Sequence, residues 1–237
     1  MNTLTDPKKY LEKDPLLHAD MLDALRDEKT KLLFSEETGV LMEDGTGFYL
    51  ISAADEETCR RLAGMIPKEK GIEVCIHQLR WVPILLEGRE KVKVLPCWEF
   101  SAGEGQKLPE NEVSGITFRP LTEKDLPFVE ENYTEPPEYT RRCFRNGMIG
   151  AFEGEKCVGF VGLHPNGEIG LLKVLPAYRN RRIGAGLETR LINRRLEEGR
   201  IPYNFVVVGN DVSVRLQQAL GLRQAERMTA WLLDDNA

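Results

Sequence analysis

A break near the middle of this chain constrains its fold more than any other feature. SAGEGQKLPENEVSG, residues 101–115, is rich in glycine, proline and polar residues and has no apolar periodicity. A stretch of that kind separates two hydrophobic cores. The 237 residues are therefore expected to form an N-terminal α/β domain over 1–102, a linker over 103–115 and a second domain over 116–237. With 41% hydrophobic and 30% charged residues, each half can bury an ordinary core.

In the first half, DPLLHADMLDALRD sets Leu16, Leu17, Met21, Leu22 and Leu25 on one helical face. KLLFSEETGVLMEDGTGFYLISA gives short strands broken at Glu37-Thr38-Gly39 and at Asp44-Gly45. A helix is expected over DEETCRRLAGMI, a strand over GIEVCIHQ, a short helix near LRWVPILLEG and a strand over KVKVLPCWEF. Gly45-Thr46-Gly47 sits in a turn between strands and opens no helix, so it is not a phosphate loop.

After the break, ITFRPL reads as a strand and TEKDLPFVEENY as a helix capped by Thr122. PPEYTRRCFRNG reads as a second helix, started by prolines and stopped at Gly147. MIGAFEGE, CVGFVGLH and EIGLLKVL follow as three strands, the last after a Pro165-Asn166-Gly167 turn. A helix with Ile183, Leu187, Leu191 and Leu196 on one face comes next. Then come a strand at IPYNFVVVG, a short helix at VSVRLQQALG and a last strand at RMTAWLL, giving the order βααβββαβαβ. The fold class is α/β, of the mixed α+β kind.

Composition excludes several functions. No stretch approaches ~20 uncharged apolar residues, and MNTLTDPKKYLEKDP lacks the apolar region of a signal peptide, so a cytoplasmic protein without a membrane partner is expected. Cys59, Cys75, Cys97, Cys143 and Cys157 are odd in number and scattered through apolar runs. They read as reduced core thiols, neither a disulfide framework nor a CxxC metal site, and no metal is expected. Trp81, Trp98 and Trp231 read as packing residues. The balance of 38 acidic to 32 basic side chains gives no footprint for nucleic acid. Between Tyr178 and Arg200, however, seven arginines stand against three glutamates.

That local charge surrounds Tyr178-Arg179-Asn180-Arg181-Arg182-Ile183-Gly184-Ala185-Gly186. The glycines permit a tight turn, and the first N–H groups of the following helix have no intrahelical partner. A helix start of this kind, with arginines just before it, suits phosphate oxygens.

The segment follows three meandering strands and precedes a buried strand and a short helix, and that arrangement resembles the GNAT N-acetyltransferase superfamily. LLKVLPAYRNRRIGAGLETRLI is similar to the family's strand, its V-x-P-x-Y-R segment and its Q/R-x-x-G-x-G/A turn. Residues from Asn210 to Leu222 resemble its N-x-x-S/A-x-x-L-Y-x-x-L-G-F. The resemblance runs from about Ile116 to Leu233. It implies a mixed, largely antiparallel sheet flanked by helices and an acyl-CoA co-substrate, acetyl-CoA first among them. EIGLLKVL and YNFVVVG would part like a V, with pantetheine against the backbone of Leu172, Lys173 and Val174. Pyrophosphate would sit on Arg181, Arg182, Ile183, Gly184, Ala185 and Gly186, reinforced by Arg179. Asn210 and Ser213 would flank the pantetheine, with a helix cap as the other reading of Asn210. Gln217 stands where many members place the tyrosine that protonates the departing thiolate, which leaves that role to a water, to Tyr203 or to no residue.

The family often carries a glutamate base on the first of these two strands, and Glu168 is the candidate, about 13 Å from Leu172 if the strand is fully extended. His164 is the rival base, expected to face solvent on a hairpin tip. The segment GEIGLLKVLPAYR also resembles the glycine N-acyltransferase branch, which likewise has an N-terminal half. In the family the helices over 122–139 wall the acceptor site; here they carry Glu123, Asp125, Glu130, Glu131, Glu135 and Glu138, which would draw a positive amine. The implied reaction is direct transfer of an acyl group to a primary amine of a small molecule or peptide, by a monomer or homodimer. A non-catalytic acyl-CoA sensor is the alternative, and the order of elements in the first half is compatible with a degenerate copy of the second.

Overall fold

The computed structural model describes residues 4–69, 71–103, 105 and 107–234. The chain forms two compact units, one of Met1–Gly103 together with Phe205–Ala237 and one of Glu104–Asn204. The first boundary falls where the polar stretch begins. The second falls inside the stretch from 116 onward that the sequence reads as one domain.

The first unit opens with α1 (Lys8–Leu11) and α2 (Ala19–Ala24), followed by β1 (Lys31–Glu36), β2 (Gly39–Glu43), β3 (Tyr49–Ala53), α3 (Glu56–Ala63), β4 (Val74–Ile76), α4 (Val82–Leu86) and β5 (Val92–Ser101). The helix expected over residues 14–27 is confined to α2. His18, just before it, turns its ring into the core, where Nε2 meets Ser52 Oγ at 2.8 Å. β1, β2 and β3 form an antiparallel meander, and α3 carries the chain over to β4, which pairs parallel to β3 with Leu50 opposite Cys75.

These strands read as continuous apolar runs because both faces are covered. Leu41, Tyr49, Ile51, Ala53, Val74 and Ile76 point to the side of Cys59 and Leu62 of α3. The alternate residues Val40, Met42, Leu50 and Cys75 point to the side of Tyr10, Leu11 and Met21. The Gly45-Thr46-Gly47 turn is a plain connection, in which Asp44 Oδ1 accepts from the N–H groups of Thr46 and Phe48.

The second unit contains β6 (Thr117–Pro120), α5 (Leu126–Asn132), α6 (Pro137–Arg145), β7 (Ile149–Glu153), β8 (Lys156–Leu163), β9 (Ile169–Val174) and α7 (Ile183–Glu197). Its sheet is antiparallel in the order β6-β7-β8-β9. Val129, Cys143, Phe144, Met148, Phe160 and Leu171 form the core beneath α5 and α6, while Ile183, Leu187 and Leu191 of α7 are buried as their spacing predicts. From α1 through α3 and from α5 through α7 the order is the same: two helices, three antiparallel strands, a helix.

β10 (Tyr203–Val207) carries the chain from the second unit to the first. α8 (Asp211–Ala219), the short β11 (Arg223–Gln224) and β12 (Thr229–Asp234) complete the first unit. β12 inserts between β4 and β5, paired to β5 along its whole length and to β4 over Ala230–Leu232, with Trp231 opposite both Cys75 and Leu95. These backbone pairings are why the last residues belong with the first hundred. The sheet order is β1-β2-β3-β4-β12-β5-β10, with β11 also on β5. All five cysteines are buried and outside disulfides, as expected.

α5 starts from a turn over Glu123–Asp125. Thr122 donates to Asp125 Oδ2 from its N–H at 2.8 Å and its hydroxyl at 2.9 Å, and Arg119 reaches the same carboxylate at 2.9 and 3.2 Å. The Arg119 guanidinium, with Thr122 in support and burial opposing, lowers Asp125 to about 2. A pKa depressed on folding gives stability that is present above the unfolded value near ~3.9 and lost as pH falls through about 2. Asp125→Asn is expected to cost about 1 kcal/mol at pH 7. Denaturant titrations at pH 7 and pH 2 should show most of that difference gone at the lower pH.

Candidate functional site

β9 is an edge strand of its sheet, so one row of its backbone N–H and C=O groups is not used by β8. It is also bulged. Gly162 faces Gly170 and Phe160 faces Lys173, so Leu171 and Leu172 together oppose one residue of β8. Leu171 has φ of 51°, a left-handed conformation that costs a branched residue about 1–2 kcal/mol. Burial of its side chain beside Phe160, Met148 and Phe144 offsets that cost. Leu172, Lys173 and Val174, expected to line a pantetheine arm, are half-buried along this bulged edge.

Beyond β9, a single turn over Pro176–Tyr178 leads to Asn180 and Arg182, with φ of 61° and 62°. α7 then begins with no side chain capping it and no acidic residue in its first turn. By ordinary helix accounting its first N–H groups face outward without an intrahelical acceptor. Gly186 N–H is already engaged, donating to Arg182 O at 3.0 Å. A Cβ at Gly186 would lie 2.6 Å from Phe118 Cζ, so this glycine serves close packing of α7 on β6. Ile183 is a core residue, and Gly184 and Ala185 are half-buried at the helix start.

α3 offers a comparison at the equivalent place in the first unit. Asp55 caps it, accepting from Thr58 N–H at 2.8 Å, and Glu56 and Glu57 occupy its first turn. A phosphate would be repelled there and attracted at α7.

The three arginines of the turn, alike in the sequence, differ in surroundings. Arg181 lies 3.2 Å from Glu153 Oε1 and stacks over Tyr178, whose hydroxyl donates to Glu153 Oε2 at 2.9 Å. Arg179 donates through Nε to Val174 O at 3.3 Å. Arg182 is exposed and makes no ion pair among the described residues. Arg181 therefore braces the turn, while Arg182 stands at the helix start. Glu153 as the brace had no signal in the sequence.

Glu168 lies at the foot of β9, half-buried. Its carbonyl accepts from His164 N–H at 2.8 Å and closes the hairpin tip, which Tyr203 also holds by donating from its hydroxyl to Asn166 O at 2.9 Å. Burial pushes Tyr133 up to about 12 and Tyr139 higher still, with the Glu168 charge adding to both. Glu168 thus shares its surroundings with two protonated phenols on the α5–α6 side.

His164 does not face solvent as expected. Its Nδ1 lies 2.5 Å from Tyr139 Oη, and burial lowers its pKa to about 4, so the ring is neutral at pH 7. It lies against Gly170, where a Cβ would come within 2.2 Å of Nε2. Only a glycine inside a strand hinted at such a close approach; Tyr133 and Tyr139 carried no signal. Cys143 has its thiol raised to about 11 by burial and is a core residue.

Two acids of the 122–139 segment are paired, Asp125 with Arg119 and Glu130 with Arg141. Asn210, Ser213 and Gln217 lie in the first unit. Asn210 Oδ1 accepts from Ser213 N–H at 3.2 Å as the cap of α8, and Gln217 is buried on that helix.

A family model described as the acetyltransferase (GNAT) family matches residues 118–222. No curated protein sequence matches the chain. Among solved structures, a putative GNAT-family acetyltransferase from Novosphingobium aromaticivorans is 21% identical, with TM-score 0.55 over 97% of this chain and 98% of that one. A GCN5-related N-acetyltransferase from Kribbella flavida is 14% identical, with TM-score 0.57 over 92% and 93%. A Drosophila protein is 16% identical, with TM-score 0.62 over 84% and 75%. These likenesses show the fold, and among the described residues no helix is long and apolar enough to cross a membrane.

Gly170→Ala should drive the His164 ring from its seat. Its pKa, followed by NMR of the ring protons, is expected to rise from about 4 toward the ordinary ~6.5; an unchanged titration would show that the ring does not rest on Gly170.

Proposed function

We propose, on the premise that residues 118–222 form a domain of the acetyltransferase (GNAT) family, that this chain is an acyl-CoA-dependent N-acyltransferase. The co-substrate is acetyl-CoA and the acceptor a primary amine of a small molecule or peptide. One observation carries the reading: a bulged edge strand runs directly into an uncapped, arginine-flanked helix start within the family domain.

In this reading the outward backbone groups of Leu172, Lys173 and Val174 hold the pantetheine arm and the thioester carbonyl. Donors aimed at that oxygen favour the charge that develops as the amine attacks. The N–H groups at the start of α7 take the pyrophosphate, with Arg182 and Arg179 alongside and Arg181 fixing the turn.

The acceptor arrives as an ammonium ion and must lose a proton before it attacks. Glu168 takes that proton, directly or through one water. The amine nitrogen then bonds to the carbonyl carbon, the C–S bond breaks, CoA leaves as a thiolate, and the nitrogen gives its second proton to water to become the amide. Tyr133 and Tyr139 keep their protons at neutral pH and serve as hydrogen-bond donors beside Glu168. Thiols titrate near ~8.5, so the thiolate can depart with water as its proton source. That matters because Gln217 has no acidic proton to give.

The first unit is, in this reading, a copy of the same design that lacks the phosphate turn, since Asp55, Glu56 and Glu57 occupy the corresponding helix start. The amide at Gln217 also favours a second reading, an acyl-CoA sensor without turnover. A thiol-release assay with acetyl-CoA and a panel of amino acids, polyamines and peptides separates the two; saturable binding with no release on any amine selects the sensor.

Glu168→Gln is expected to lower kcat by about 10²-fold or more, as loss of a general base does, while acetyl-CoA affinity by calorimetry stays within about twofold. Equal turnover in the variant removes Glu168 from the reaction. Arg182→Gln is expected to weaken acetyl-CoA binding about tenfold, the size of one lost charge-assisted hydrogen bond. Dephospho-CoA and CoA should be affected alike if Arg182 serves the pyrophosphate.

A further inference from the structure

We propose that Asp20, Cys75 and His77 form a binding site for one divalent transition metal ion, zinc by its donor set, inside the first unit. A carboxylate oxygen, a thiol sulfur and an imidazole nitrogen of these residues lie within 4.8 Å of one another. The three side chains are at most 2% exposed. Nothing in the sequence spacing pointed to them, and the scattered cysteines argued against a metal.

The fold brings them together simply. Cys75 is the middle residue of β4 and His77 follows the strand, two positions on, so both point to the side that α1 and α2 cover. Asp20 sits in the first turn of α2.

Two of the donors, His77 and Asp20, are oriented by hydrogen bonds. His77 Nδ1 lies 2.9 Å from Ile51 O, and since a carbonyl only accepts, Nδ1 carries a hydrogen and Nε2 is presented inward. A backbone carbonyl holding the other ring nitrogen is the usual support of a metal-bound histidine. Met21 N–H donates to Asp20 Oδ1 at 2.6 Å, and Asp20 N–H donates to Glu99 Oε1 at 3.1 Å. Asp20 Oδ2 is buried with no hydrogen-bond partner, a costly state when nothing satisfies it. An ion satisfies it.

Charge and protons balance. His77 Nε2 and Asp20 Oδ1 are 2.7 Å apart and must share one proton. A divalent ion would replace that proton and the Cys75 thiol proton, releasing two. These three groups are neutral together before, as ion pair and thiol, and neutral after, as M²⁺ with one carboxylate, one thiolate and one imidazole, so exchanging two protons for the ion leaves the buried charge unchanged. Metal bonds of ~2.0 Å at a tetrahedral angle would open the 2.7 Å separation to roughly 3.3 Å. An oxygen, nitrogen and sulfur set suits zinc, with cobalt as its spectroscopic substitute.

The test uses the full chain without a tag, expressed with Zn²⁺ or Co²⁺ in the medium and passed through gel filtration. The expected results are one ion per chain, a thiolate-to-cobalt charge-transfer band and uptake of about two protons per zinc when a strong chelator removes it. Cys75→Ala should abolish the band and Cys97→Ala should keep it. If Cys75→Ala does not fold, the wild-type chain still decides. Folded wild-type protein that retains no metal overturns the proposal, as does metal retained without the thiolate band or a band that survives in Cys75→Ala.

Discussion

The structure depends on the pairing of β12 between β4 and β5. A strand hydrogen-bonded on both edges and buried on both faces cannot be withdrawn without splitting the sheet, and here that strand comes from the C-terminal end of the described chain. The second unit is in consequence an insertion between Gly103 and Phe205 of the first. Leu95 and Cys75, twenty residues apart, are held in one sheet only because Trp231 lies between them.

Within the inserted unit the corner from β9 to α7 keeps three non-glycine residues left-handed, Leu171, Asn180 and Arg182. Such conformations persist only where the surroundings over-determine them. Leu171 is fixed by its buried side chain, and the turn is braced by the Arg181, Tyr178 and Glu153 cluster. The helix after the turn is anchored by the contact of Gly186 with Phe118. Binding groups at this corner are thus presented by packing that lies behind them.

Local order was largely legible. Period-two runs, the Pro165-Asn166-Gly167 turn and the apolar stripe of α7 announced the elements of the second unit, because each depends on neighbours in sequence. The arginine and glycine turn was legible too, since its function needs contiguous backbone. What stayed hidden depends on pairs distant in sequence. RMTAWLL reads as a buried strand, but nothing in it names β4 and β5 as partners. Tyr139 with His164 and Asp20 with His77 are contacts made by tertiary structure. The hairpin tip misled because a loop position ordinarily implies solvent, whereas a glycine two residues beyond Glu168 leaves room for the imidazole to fold inward. Asn210 was half legible: the cap was one of its two readings, and the structure realises it.

The placement of β12 also sets a timetable. A ribosome adding ~5–20 residues per second takes roughly 6–25 s to cover the stretch from Gly103 to Thr229. Until then β4 and β5 lack the strand that joins them, and their open edges are templates for mispairing. The inserted unit needs nothing made after Asn204 to complete its own sheet. The half that emerges first is therefore the half that finishes last, and any pause in translation between β5 and β12 lengthens its exposure by the length of the pause.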